Sequence, residues 1–392
     1  MKYLRVATEY YKIVRKPVDD ALTKEALIKW KKSEIITDEG KDYLNAIKKY
    51  DGFTNLPSHN NYQESIGEFY NRYAKVFHQF KPGEYPVITS FLRHIFGDQY
   101  DLGLDYLSIL WKYPTQVLPI LCLVSNERNT GKSTFLEFLH LIFQDNLTIN
   151  TNDDFRGRFN SDWAYKTLIC IDEVLLQRKE DSERLKHLST AKTYKAEAKG
   201  VDKVEVPFYG KFILCTNNES SFVYIDEKEI RYWVVKVPTF KEEIPNLIGK
   251  MKEELPHFMF FLKNRKIKTQ KKTRMWFCPE EIHTQALENL RKGNENVIIR
   301  ELMQLLEENF EKYDVDELYY TNSELVNMLK ETNLRVTSSR ISFLLQHYLK
   351  LSAVNSCYKK YYLSTDPLTG KQNVAFDNCK GRYYTFTKDI IN

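Results

Sequence analysis

The chain of 392 residues carries 58 lysines and arginines against 53 aspartates and glutamates, a formal net charge of +5. That length accommodates two or three domains, each with a core of its own, and so small a net charge excludes nucleic-acid binding by bulk charge: any such site has to come from local clustering. Cysteines at 122, 170, 215, 278, 357 and 379 stand singly, without the CxxC pair that a zinc ribbon requires.

No apolar run approaches the roughly twenty residues of a membrane helix. Nothing at the N-terminus reads as a signal peptide, so a cytoplasmic protein with no membrane partner is expected. Residues 1–60 mix short β-like pieces, such as residues 10–14, with an Asp/Glu/Lys-rich stretch, and read as a small α+β region of unknown role. Residues 61–115 show helical periodicity in Ile66, Phe69 and Tyr70, then Ile88, Phe91, Leu92 and Ile95, then Leu104, Leu107, Leu110 and Trp111.

The stretch LCLVSNERNTGKSTF, residues 121–135, is an apolar strand, a polar turn and the start of a helix. Such a loop wraps a triphosphate with backbone N–H groups, sets Lys132 against the β- and γ-phosphates and offers Mg²⁺ the hydroxyl of Ser133. Asn126, Asn129, Thr130, Gly131, Lys132, Ser133 and Thr134 are the candidate ATP-binding residues. The usual phosphate loop has glycine where this chain has Asn126, and Asn tolerates positive φ well enough to keep the turn.

KTLICIDE, residues 166–173, is a second apolar run of the kind that a parallel sheet buries on both faces. At its end Asp172 is placed to hold Mg²⁺ with Ser133, and Glu173 to activate water. Residues 192–203 intersperse Lys192, Lys195, Lys199 and Lys203 around Gly200, a basic hairpin in pattern. GKFILCTNN, residues 210–218, is a third run whose Asn217 is either a γ-phosphate sensor or an ordinary turn residue. Arg231 opens the next strand and is either a finger toward a neighbouring subunit's γ-phosphate or a surface ion-pair partner.

Residues 263–274, KNRKIKTQKKTR, read as a basic linker, a nucleic-acid contact or both. Beyond them residues 297–310 are amphipathic, Thr321 offers an N-cap, and Thr337 opens a third helix through Leu349. Two polar-aromatic strands follow, residues 357–363 and 382–387. Three helices and a hairpin are the plan of a winged helix over residues 290–392, with Arg335, Ser338, Ser339 and Arg340 on the third helix and Lys359, Lys360 and Arg382 on the wing as candidate DNA contacts.

SNERNTGKST, LICIDE, KTYKAEAKGVDKVEVPFYGKFILCTNN and IRYWVVKVP together resemble a superfamily 3 helicase of the AAA+ class, more narrowly the ATPase half of primase-helicases of phages and mobile elements. The resemblance implies an α/β fold: an AAA+ P-loop ATPase core with a parallel sheet at 116–245, a helical collar before it at 61–115, and a helical lid and basic linker at 246–289. It implies that the lysine hairpin projects into a central pore and holds nucleic acid by its phosphates. It also implies a homo-hexameric ring that binds single-stranded or forked DNA and unwinds duplex during phage or mobile-element replication in a bacterial host. Residues 1–57 carry no paired-carboxylate primase pattern, so a primase, if needed, is expected on another chain. An origin-binding initiator or loader, and a signalling or defence ATPase whose winged helix binds protein, are the rival expectations.

Overall fold

The structure is a computed structural model and describes every residue except 1, 18–22, 177, 198, 201, 226–228, 243, 333, 335, 366–371 and 389–392. The chain divides into two compact units, Met1–Leu175 with Arg184–Glu219 and Glu229–Leu287, and Leu176–Glu183 with Ser220–Lys228 and Glu288–Asn392. Candidate residue Arg335 lies outside the described residues.

The first unit begins with β1 (Tyr3–Val6), β2 (Glu9–Pro17), β3 (Thr23–Trp30), α1 (Lys32–Glu39), α2 (Tyr43–Ala46) and β4 (Lys48–Tyr50). The four strands form one sheet in the order β3-β2-β1-β4. A second small sheet follows from β5 (Gly52–Thr54), β6 (Ser65–Ile66) and β7 (Phe69–Asn71).

Here the helical expectation fails, because Ile66 pairs with Phe69 across a two-residue turn in which Gly67 has φ +56°. That left-handed residue closes a hairpin and ends any helix. The buried Asn71 side chain then holds the adjoining chain, donating to Leu56 O and Gln63 O and accepting from Leu56 N and Tyr73 N. Within residues 61–115 the α-helices are α3 (Pro86–Phe96) and α4 (Tyr100–Lys112). In α3 Pro86 sits in the first turn and Ile88, Phe91, Leu92, Ile95 and Phe96 are buried at helical spacing.

The main sheet is built from β8 (Ile120–Val124), α5 (Lys132–Phe143), β9 (Leu147–Asn150), α6 (Asn152–Arg156), β10 (Leu168–Ile171), α7 (Lys179–Leu188), the hairpin β11 (Thr193–Ala196) and β12 (Val204–Pro207), then β13 (Lys211–Thr216) and β14 (Tyr232–Lys236). Its five strands run parallel in the order β14-β8-β13-β10-β9. Every residue of β8, β10 and β13 is buried, which is why these strands read as unbroken apolar runs. Helices α3, α4 and α5 pack with α8 (Leu247–Asn264) in one core, against apolar side chains of the sheet.

The basic stretch at 263–274 is not a free linker. Arg265 donates through Nε and Nη2 to Asp105 of α4, whose second carboxylate oxygen accepts the Lys268 and Thr269 amides. Lys268 reaches Asp101 and Lys272 reaches Glu281, so local sequence shows a charge run where the fold shows a chain clamped by carboxylates.

The second unit contains α9 (Gln285–Tyr313), which begins in the first unit, then β15 (Glu317–Tyr320), α10 (Asn322–Glu331), α11 (Ser338–Tyr348), β16 (Val354–Thr365) and β17 (Gln372–Thr387). Thr321 forms the expected cap, a full capping box with Glu324. The sequence anticipates two strands, but β15 joins β17 to make three, in the order β15-β17-β16. No described helix is long and apolar enough to cross a membrane.

Candidate nucleotide-binding site

Parallel pairing aligns the C-terminal ends of β8, β13 and β10, and the loops that leave them meet at one edge of the sheet. Because β13 lies between the other two, Asn217 is set between the phosphate loop and the acidic turn. A cavity of about 570 Å³ opens there, lined by Arg128 to Thr134, Asp172, Glu173, Thr216 and Asn217. Ligands of open α/β sheets bind outside the carboxyl ends of the strands.

The loop takes its turn at Asn129, φ +56°, and at Gly131, φ +85°, where a Cβ would come within 2.7 Å of the Phe240 ring. Asn126 is not among the positive-φ residues, so tolerance of that conformation is not what it supplies. Its amide instead donates to Glu219 Oε1 at 2.9 Å and its side-chain oxygen accepts the Glu219 amide at 3.4 Å. Glu219 also binds Lys236 at 3.0 Å. Sequence reading missed this acid, whose partners lie 93 and 17 residues away.

Lys132 is buried at the start of α5, with its Nζ 2.8 Å from Thr130 Oγ1. Burial lowers its pKa from the ordinary lysine value, and the carboxylates of Asp172 and Glu219 oppose that shift. Ser133 Oγ donates to Asp172 Oδ2 at 2.9 Å although 39 residues separate them. Glu173 follows Asp172 in the left-handed region, φ +52°, which costs a non-glycine residue about 1–2 kcal/mol.

These residues fit a nucleoside triphosphate and Mg²⁺. The glycine cradle brings backbone close, the buried ammonium meets phosphate charge, and the hydroxyl–carboxylate pair matches Mg²⁺, which is held by one or two protein oxygens and by substrate phosphates. Among the described residues no group of three or more His, Cys, Asp or Glu side chains forms an all-protein metal cage.

Arg231 is elsewhere. Its carbonyl accepts the Ile120 amide at the beginning of β8, whereas the phosphate loop leaves the other end of that strand. Five residues of strand put it about 16 Å away, and its guanidinium pairs with Glu229 at 3.0 Å. It is not among the residues that line the cavity.

The lysine hairpin forms as β11 and β12, with Gly200 at φ +74°. Lys192, Lys195 and Lys199 are exposed, whereas Lys203 pairs with Glu197 at 3.2 Å. In the second unit Arg340 is bound to Glu295 and only 17% exposed, and Lys360 pairs with Glu324 at 2.8 Å. Lys359 lies 4.8 Å from the centre of the Phe376 ring. Of these three cations, Arg340 is committed within the fold, and sequence alone could not show it because Glu295 is 45 residues away.

A family model described as a family of unknown function, DUF5906, matches residues 123–231, an interval holding every residue of the cavity. No curated protein matches the sequence. Solved structures match over nearly the whole chain. The apo structure of the NrS-1 C-terminal region (305–718) superposes with a TM-score of 0.60 at 15% identity, covering 95% of this chain and 95% of that chain. An A-form apo structure of the same region gives 0.58 at 15% identity, covering 97% and 95%. The chain shares its fold with the NrS-1 C-terminal region.

Proposed function

We propose that the chain is an ATP hydrolase that acts on DNA, a ring-forming helicase of the superfamily 3, AAA+ type working in replication. The observation that supports it most is the Ser133–Asp172 hydrogen bond beside buried Lys132, which assembles phosphate and Mg²⁺ ligands from two separate strand ends around one cavity. In this reading Lys132 and the loop amides hold the triphosphate. Ser133 and Asp172 would hold Mg²⁺, which supplies charge neutralisation at the phosphates when bound.

Glu173 accepts the proton of the attacking water, and Asn217, between the two loops, orients that water or the terminal phosphate. Arg231, at the far edge of the sheet, acts on a neighbouring subunit's nucleotide. The exposed Lys192, Lys195 and Lys199 contact phosphates of single-stranded or forked DNA. Three helices with a three-stranded sheet support the winged-helix reading of the second unit. The fold is shared with the NrS-1 C-terminal region, and the replication setting rests on the sequence resemblance to superfamily 3 helicases.

The test is ATP turnover by the wild type and by Lys132→Ala with no DNA, single-stranded DNA and a fork, alongside strand displacement. Turnover stimulated by DNA and abolished by Lys132→Ala is expected. Turnover without displacement would favour a loader, and turnover indifferent to DNA would overturn the reading.

A further inference from the structure

Ten residues, 151–160, run from the acidic turn to the base of the lysine hairpin, and each end is fastened by an asparagine that both donates and accepts. At the start Asn152 donates from Nδ2 to the Glu173 carbonyl at 3.1 Å and accepts the Leu175 amide on Oδ1 at 2.8 Å. Both bonds fall just after the Cα of Glu173, the residue held at positive φ: one on its own carbonyl, the other on the amide two residues further on. At the other end the buried Asn160 donates from Nδ2 to the Lys195 carbonyl at 3.1 Å and accepts the Glu197 amide at 2.8 Å.

The segment between is stiff. Thr151 and Asp154 close a capping box on α6, and Phe155 is fully buried against Trp163, which stacks on Tyr194 of the hairpin. Arg184 donates to the carbonyls of Arg156 and Gly157 and to the Tyr194 hydroxyl. Arg156 returns to the acidic turn through the Leu175 carbonyl at 2.7 Å, and Arg158 reaches Glu197 at 2.5 Å. A displacement of the hairpin therefore acts on the backbone that presents Glu173, through the buried Phe155, Trp163 and Asn160 and through exposed hydrogen bonds at the acidic turn.

We infer that residues 151–160 are a rigid tie coupling the lysine hairpin to the acidic turn, with Asn152 the positioning residue for Glu173. The coupling is a property of the chain. Its consequence, that DNA on the hairpin alters ATP turnover, rests on the proposed function.

Hydrogen exchange on the full chain tests the tie without nucleotide. Asn160→Ala removes bonds at the hairpin only, yet is expected to speed exchange of the Val174 and Leu175 amides about fivefold, the factor that one lost hydrogen bond supplies. The exposed-side change Arg158→Ala, which leaves Asn160 in place, is expected to do so more weakly. Faster exchange confined to the hairpin, in both variants, would overturn the tie. In turnover assays Asn152→Ala is expected to lower kcat about tenfold with KM for ATP unchanged, as for an interaction realised in the transition state. Asn160→Ala is expected to lose most DNA stimulation, with a smaller loss of basal turnover than Asn152→Ala. A wild type that hydrolyses no ATP would end the functional reading, while the exchange result would still decide the tie.

Discussion

Removal of the Asp105 carboxylate is the sharpest probe of how the basic stretch after α8 is held. Asp105 is fully buried and accepts four hydrogen bonds, from Arg265 Nε at 3.1 Å, Arg265 Nη2 at 2.9 Å, Lys268 N at 2.9 Å and Thr269 N at 2.8 Å. Asp105→Ala leaves a guanidinium only 8% exposed with Asp101 at 3.7 Å as its remaining acid, and that acid is 62% exposed. Breaking a buried pair from one side costs about 3–5 kcal/mol, and the distant, solvated Asp101 recovers little of it.

The double variant Asp105→Leu with Arg265→Met removes both charges, and most of the loss is expected to return. What stays lost is the acceptor for two backbone amides, about 1–3 kcal/mol. Urea unfolding followed by tryptophan fluorescence reads this directly, because Trp276 donates to Thr269 Oγ1 in the same segment. At a slope of about 2 kcal/mol per molar the single variant shifts the first midpoint down by roughly 1.5–2.5 M. A shift below about 0.5 M on the same slope would mean that residues 263–274 behave as a tethered linker and that the ion pair holds nothing.

Three further variants have expected outcomes. Glu173→Gln is expected to lower ATP turnover by about 10²–10⁴ with ATP affinity unchanged; Glu173→Gly is expected to lose turnover equally and yet gain about 1 kcal/mol in unfolding free energy, because glycine relieves the left-handed strain. An affinity loss matching the turnover loss would show that Glu173 binds rather than activates. Lys211 is buried, bound to the carbonyls of Pro114 and Tyr209, and burial lowers its pKa from 10.5 to about 7. Between those values the unfolded chain holds the extra proton, so this group makes stability rise with pH from about 7 upward, and below about 7 its full penalty is present. Unfolding between pH 7 and 8.5 compares wild type with Lys211→Met over a window below the ordinary thiol range of about 8.5; equal slopes would remove Lys211 as the cause.

Much of the site was legible because its signals are local. Runs of β-branched and aliphatic residues marked β8, β10 and β13, and Gly131, Lys132 and Ser133 followed by Phe135, Leu136, Phe138 and Leu139 at helical spacing announced a helix that begins at the loop. The capping box at Thr321 was legible for the same reason, since its partner is three residues away. The helical periodicity assigned to Ile66, Phe69 and Tyr70 misled, because three apolar residues at that spacing also suit two short strands folded at Gly67.

The sequence by itself determined which stretches are buried strands and where the Gly-Lys-Ser-Thr loop, two carboxylates and an amide stand along the chain, because hydrogen bonding within a helix and burial within a strand leave short periods. Only the tertiary structure decided that β13 inserts between β8 and β10, bringing Ser133 to Asp172 with Asn217 between them, and that Arg231 lies at the opposite edge. Only it decided which cations are exposed and which are committed, as Arg265 is to Asp105 and Arg340 to Glu295. An ion pair depends on distance in space, and residues 160 apart in the chain carry no mutual signature until the fold closes that distance.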